Sequence, residues 1–435
     1  MSRLLIKNIG ALYSLVGMTG TRGGDAAAIQ PVEDGEVLVE DGRVVYAGPR
    51  RQPDPPDIPL AEPARHLNPY PPPPLVTRSE QDLTVIDARQ ALVTPGLVEP
   101  HTHIVYGGDR SHELGLKLRG VPYLEILAKG GGILSTVRAT RVASDEELVE
   151  SAEIRLRELS RHGVTTVEIK SGYGLDTAQE LRLLRIIQAL GRGMPLRVVP
   201  TFMGAHAIPP DFASDADGYV DEVIERMLPA VAEAGLADFC DVFCEHGVFS
   251  VGQSRRILLA GSARGLRPKV HADEIEPIGG AELAADVRAV SAEHLRASSD
   301  AGLGSMASAG VTPVLLPATS FNLRDHRFAP ARRMIDEFDL PVALSTDANP
   351  GTSPTESSQL VMNVAALEMR LTPEEILAGM TINAARAIAL ESEVGSLEPG
   401  KAGDVVVWQA YELAMLPYRT GANQAAMVIQ SGQIL

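Results

Sequence analysis

The chain has 435 residues, 45% of them apolar, which allows a substantial core and, by length, two or three domains or one long barrel with an appendage. Its formal net charge of −17 argues against nucleic acid or an anionic membrane as partner, since both need a basic face. Two cysteines, Cys240 and Cys244, offer no disulfide framework, and no apolar run is long enough to span a bilayer, so a cytoplasmic protein is expected, with both cysteines serving packing.

In chain order, residues 1–48 predict short strands at 4–8, 36–40 and 43–47, with Asp41-Gly42 as the hairpin turn between the last two. Residues 49–80 are different material: eleven of the 31 prolines fall there, ending in Pro71-Pro72-Pro73-Pro74. Such a stretch can form neither a helix nor a central strand, because proline fixes φ and lacks the N–H. It reads as a tolerated surface insertion, a polyproline ligand for a partner being the other reading.

From Leu92 onward strands alternate with helices. Eight strand-like runs stand at 97–103, 164–170, 196–203, 239–245, 268–272, 290–294, 311–316 and 341–347. Ser144-Asp145-Glu146-Glu147 opens one amphipathic helix with a capping-type start, and Gly163 closes it after Arg161-His162. Eight alternations predict an α/β fold, a (β/α)8 TIM-type barrel. Helices at 357–370, 373–380 and 382–390 follow, then strands at 404–408 and 426–429. These last strands are too few to fold alone and are expected to join the first ones in a small β-sandwich domain built from both termini. The division predicted is 1–91 and 396–435 for that domain and 92–395 for the barrel.

His101-Thr102-His103 ends the first barrel strand. Side chains at i and i+2 share a face of a strand, and two inward imidazoles are costly to bury unless something occupies them. A metal ion would do so; backbone carbonyls would too, for an ordinary pair of core histidines. The other conspicuous polar residues also fall at strand ends, where barrel enzymes assemble their sites: His271 at the fifth, His294 at the sixth and Asp347 at the eighth. Three neutral imidazoles and a carboxylate suit Zn2+ or Fe2+ and leave room for a water. Taken alone Asp347 reads equally as a helix N-cap; beside His101, His103 and His271 it reads as a ligand. In His271-Ala272-Asp273-Glu274, Glu274 is the candidate base for an activated water, or else a solvated loop acid, as Asp273, Glu276 and Glu282 are read. His294 is a further nitrogen ligand or a donor that orients water and a carbonyl oxygen, and we favour the donor.

These runs closely resemble the imidazolonepropionase family of the metal-dependent amidohydrolase superfamily, weakly over 1–48 and strongly over 92–435. The resemblance rests on Pro95-Gly96-Leu97-Val98-Glu99-Pro100-His101-Thr102-His103, Lys170-Ser171-Gly172-Tyr173-Gly174-Leu175, Gly204-Ala205-His206, His271-Ala272-Asp273-Glu274, Pro330-Ala331-Arg332 and the run from Ser345-Thr346-Asp347-Ala348-Asn349-Pro350 to Glu356. Residues 49–80 have no counterpart in it. The resemblance implies one divalent or trivalent metal ion, Zn or Fe, on His101, His103, His271 and Asp347. It implies substrate contacts from Arg110, Tyr173, His206, Glu274, Asn349, Gly351 and Thr352, and catalysis by Glu274, His294 and Asp347. The implied reaction opens the cyclic amide of 4-imidazolone-5-propanoate to N-formimidoyl-L-glutamate in histidine degradation, on a small substrate whose propionate would meet Arg110 and Tyr173; a homodimer is allowed. In binuclear relatives a carboxylated lysine of the fourth strand bridges two metals. Lys170 is on the second strand, and the fourth offers Glu245-His246, so a single metal is expected, with Glu245 and His246 behind the ligands. His66, His112, His162 and His326 read as surface or structural histidines. The rival readings are a nucleobase-type deaminase on the same barrel and a metal-free scaffold.

Overall fold

The computed structural model describes residues 2–20, 22–51, 70–78, 83–121 and 131–435; most of the proline-rich stretch, with His66, lies outside them. In chain order the strands begin with β1 (Arg3–Leu12), β2 (Val32–Glu40), β3 (Arg43–Pro49), β4 (Leu75–Arg78), β5 (Leu83–Asp87) and β6 (Leu92–Pro95). Next come β7 (Leu97–Glu99), β8 (Val164–Lys170), β9 (Arg197–Ala205), β10 (Phe239–Cys244), β11 (Arg267–Ala272), β12 (Ser291–His294), β13 (Thr312–Leu315) and β14 (Ala343–Leu344). The last three are β15 (Val405–Trp408), β16 (Ala425–Gln430) and β17 (Gln433–Ile434).

Strands from both termini form one sheet, ordered β17-β16-β15-β6-β1-β2-β3, with β5 pairing β1 and β4 pairing β5. Asp41 and Gly42 both take positive φ, 47° and 79°, as the two-residue turn between β2 and β3 requires. β1 serves two neighbours: residues Arg3 to Lys7 pair with β5, and Ala11 and Leu12 pair with β6. A bulge between Ile6 and Ile9, with Asn8 at φ 54°, separates the two halves and bends the strand. The expected sandwich is therefore one continuous nine-stranded sheet whose apolar side chains, from Leu4 to Ile429, meet in a single cluster. It includes two strands that the sequence reading assigned elsewhere. β4 is an exposed edge strand just after Pro74, where backbone N–H groups become available again. β6 pairs β15, so the barrel begins at Leu97, not Leu92.

The second sheet runs β7 through β14 in sequential order. It closes where Thr102 forms a parallel bridge with Ala348, and His103 N–H donates to Ala348 O at 2.9 Å. Each of the eight expected runs overlaps its strand; β9 runs on to Ala205, and β11 begins one residue earlier, at Arg267. The first and eighth end early, at Glu99 and Leu344, because the residues that follow leave the ladder to build the site. The helix Asp145–Arg161 starts with the expected capping box of Ser144 and Glu147. Cys240 and Cys244 are free and buried on β10, in keeping with packing.

Candidate metal centre

His101, His103, His271, His294 and Asp347 are all buried at one end of the barrel. His101 Nε2 lies 3.4 Å and His103 Nε2 3.7 Å from Asp347 Oδ1, and His271 Nε2 is 3.4 Å from His103 Nε2. Ligating atoms of His101, His103 and Asp347 lie within 4.8 Å of one another, as do those of His101, His271 and His294. Among the described residues, neither ring nitrogen of His101 has a hydrogen-bond partner, and neither does His103 Nδ1. Buried and unpaired, these atoms are expensive unless a cation takes them. The carbonyl-bonded reading of His101 thus fails. So does the N-cap reading of Asp347, since the next helix, Ser358–Leu367, is capped by Ser357.

The donor set fits a metal ion. Burial holds His101, His103 and His271 well below the usual imidazole range, in the neutral form that ligation requires. Burial also pushes the Asp347 carboxyl well above its ordinary value, a cost that a cation would offset. His294 and Asp347 sit at φ 67° and 53°, left-handed conformations that cost a non-glycine residue energy and that cluster at functional sites.

Behind these groups stand residues that the sequence reading missed. Asp241 accepts from His271 Nδ1 at 3.1 Å, which aims Nε2 at the cluster, and from Lys170 Nζ at 2.8 Å. Thr319 Oγ1 donates to Asp347 Oδ2 at 2.6 Å. Glu99 accepts from Ser345 Oγ and, at 2.9 Å, from Thr346 N. The available signal was a lone Asp241 in the apolar run Phe239–Cys244, two strands from a lone Lys170. Burial alone would lower the Lys170 pKa, but Asp241, Glu168 and Glu293 outweigh it and keep the ammonium charged.

Glu274 Oε2 lies 3.7 Å from His294 Nε2. Burial raises Glu274 to about 7 against the pull of Arg296, and burial lowers His294 to about 3. A carboxyl poised near neutrality beside a neutral imidazole can exchange a proton with a reactant. Asp273 is not solvated as expected: buried, it accepts from Gly279, Gly280 and Ala281 N–H groups at 3.2, 2.8 and 3.0 Å.

On the substrate side, the His206 ring stacks on His103 with centroids 4.8 Å apart, and its Nδ1 lies 3.2 Å from Gly172 O. Tyr173 lies 5.3 Å from His206, ring to ring, and close enough to Asp347 and Arg110 to feel both charges. Arg110 Nη2 is paired with buried Glu113 at 2.8 Å. Its guanidinium rests on Gly351, where a Cβ would lie 2.0 Å from Nη1 and push the guanidinium aside. Asn349 is spent within its loop. Its Oδ1 accepts from Gly351 N and Thr352 N at 2.8 Å each, and its Nδ2 donates to Asp347 O and Thr352 Oγ1. Asn349 and Thr352 therefore shape the turn that receives Arg110. Glu245 is buried, whereas His246, His112 and His326 are exposed; His162 bonds Gln359 between two helices.

Residues 92–435 match the Amidohydrolase family. The chain is 47% identical to the imidazolonepropionase of Alkaliphilus metalliredigens, covering 100% of this chain and 98% of that protein. It is 52% identical to the imidazolonepropionase of Alkaliphilus oremlandii over 82% of this chain and 84% of that one. In fold it is similar to an adenosine deaminase from Xanthomonas campestris solved with bound zinc, with a TM-score of 0.68 at 18% identity, covering 100% and 92% of the two chains. At this identity and coverage, the chain belongs to the imidazolonepropionase family of the amidohydrolases.

Proposed function

We propose that this chain hydrolyses the cyclic amide of 4-imidazolone-5-propanoate to N-formimidoyl-L-glutamate, with a single Zn or Fe ion on His101, His103, His271 and Asp347. The observation that carries this reading is the union of the imidazole–carboxylate cluster with an oriented cation, Arg110, whose guanidinium rests on the Gly351 turn that Asn349 ties to Asp347. A planar guanidinium suits the propionate tail. A bound metal ion would make a water acidic near neutral pH and polarise the ring carbonyl.

The chain's own groups then do the following. Glu274 accepts a proton from the attacking water, whose oxygen bonds to the carbonyl carbon. Neutral His294 donates from Nε2 toward the oxygen on which negative charge develops. Glu274 returns its proton to the ring nitrogen as the C–N bond breaks, and the water's second proton leaves as the new carboxyl group ionises, giving a carboxylate and an N-formimidoyl group. A nucleobase-type substrate has no charged tail and would leave the Arg110–Glu113–Gly351 arrangement without purpose.

Turnover of freshly generated 4-imidazolone-5-propanoate, followed by product identification and metal analysis, tests this. The expected result is formimidoylglutamate with about one metal ion per chain. Ammonia release from a nucleobase with no turnover of the imidazolone, or two ions per chain, would overturn it.

A further inference from the structure

A proton-transfer carboxylate must be placed to within a fraction of an ångström of its target. Glu274 nevertheless begins a loop whose next residues, Ile275 and Glu276, are exposed. Charged side chains from two other strand ends and from the segment after the helix Pro317–Leu323 hold that loop. Glu245, just past β10, accepts from Ile275 N at 2.8 Å and from Glu276 N at 3.3 Å. Arg296, two residues past β12 with its side chain only 4% exposed, donates through Nη1 to Glu274 O at 3.4 Å and through Nε to Arg327 O at 2.9 Å. Its Nη2 is paired with Asp325, and Arg327 Nη1 donates to Ile275 O at 2.9 Å. The peptide groups after Glu274 are thus gripped on both sides: a carboxylate takes the N–H groups and two guanidiniums take the carbonyls.

We propose that Glu245 and Arg296 are positioning residues for Glu274, with Asp325 as the outer anchor of Arg296. The inference rests on the reading of Glu274 as proton acceptor. Arg296 belongs to the loop that also carries His294, so one side chain links the two members of the acid–base pair and fixes their separation. Arg327, drawn in through its own carbonyl, closes the clamp over Ile275.

A double-mutant cycle tests the proposal in the metal-loaded enzyme. Arg296→Met should lower kcat roughly 10- to 100-fold with KM and metal content unchanged, as a small misplacement of a reacting group does. Arg296→Lys should recover part of the loss. In a Glu274→Gln background the Arg296→Met change should cost nothing further, because residues that act through one another are not additive. Equal losses in both backgrounds, or loss of metal in step with activity, would overturn the proposal. Should Arg296→Met fail to fold, Asp325→Asn alters only a half-exposed side chain and should show the same pattern more weakly. Hydrogen exchange provides a reading independent of substrate: the Ile275 and Glu276 amides should exchange about tenfold faster in Glu245→Gln and Asp325→Asn. Unchanged exchange there overturns the clamp. Failure of the functional reading looks different, with no turnover of the imidazolone by the wild-type protein while the exchange result stands.

Discussion

The terminal sheet buries Ile6, Ile9, Val37, Val93, Val405 and Ile429 against one another, whereas the barrel buries Glu168, Lys170, Asp241, Lys269, Ser291 and Glu293 inside its ring of strands. Lys170 bridges Glu168 and Asp241 at 2.8 Å each, and Lys269 reaches Glu293 at 3.0 Å and Ser291 at 2.6 Å. Both interiors exclude water, but the sheet's cluster is apolar, whereas the barrel adds these ionic groups to apolar clusters of its own, one of them with Val98, Val199, Phe239 and Val314. Ionic interiors are poor sources of stability, because desolvation consumes most of the Coulombic gain. What the barrel gains is orientation: the chain Glu168–Lys170–Asp241–His271 ends on an imidazole of the candidate metal centre. The difference teaches that one chain can add, to the apolar packing that keeps it folded, an ionic layer that aims its reactive groups.

The sharpest test on the barrel side is Glu274→Gln, which keeps shape and hydrogen bonding but cannot accept a proton. The expected loss is on the order of 100- to 10,000-fold in rate, with metal content and melting temperature unmoved. In the wild type the rate should fall as pH drops through the Glu274 pKa, because only the carboxylate acts as base. That value is raised to about 7 by burial, and a nearby cation favours the charged form, so the acidic limb of kcat/KM is expected at or below about pH 7. A Gln variant within a few-fold of wild type would move the base to another residue.

Next in size is Lys170→Met. Removing one partner of a buried ionic cluster leaves Glu168 and Asp241 uncompensated, which costs about 3–5 kcal/mol. Denaturant unfolding should show that loss, and metal content should fall because Asp241 no longer holds His271 in place. If stability drops while metal occupancy stays full, the ionic interior does not orient the centre and the comparison above loses its point.

The same contrast governs what could be read in the sequence. Alternating apolar residues and turn pairs such as Asp41-Gly42 made five of the nine sheet strands and the eight barrel runs legible. His101, His103, His271 and Asp347 were legible because imidazoles and a carboxylate at strand ends have few other uses. Asp241 and Arg296 were not, since the ring and the carbonyl they orient lie 30 and 22 residues away in the chain and no local spacing links them. The β4 strand escaped because the prolines before it mask an ordinary edge strand, and Asp273 because a carboxylate that caps a helix looks like any loop acid until its N–H partners are known.

Arg110→Met should have a smaller effect, about 10- to 100-fold in kcat/KM, the range of a lost charge-assisted pair. The loss should appear mainly in KM, with metal content normal, and Gly351→Ala should mimic it, because a Cβ there would displace the guanidinium. If either variant instead loses its metal, Arg110 belongs to the structural support of the cluster and not to substrate binding.

The smallest expected effect lies in the terminal sheet. Ile6 is fully buried on β1, among apolar side chains from β2, β5 and β15. Ile6→Val removes one methyl group from that cluster and should cost about 0.5–1.5 kcal/mol of stability. Trp408, the only tryptophan of the chain, lies on β15 with its Nε1 donating to Thr94 Oγ1 at 2.8 Å and its ring in the barrel-side apolar cluster, so its fluorescence follows unfolding of the sheet together with its packing on the barrel. The variant should unfold at lower denaturant by this probe while kcat, KM and metal content at low denaturant equal those of wild type. A change in kcat or metal content would mean that packing in the sheet is transmitted to the barrel's strand ends. The continuous path for it would be β6, which runs straight into β7 and His101. The apolar and ionic interiors would then be one mechanical unit, and their separation of tasks would be wrong.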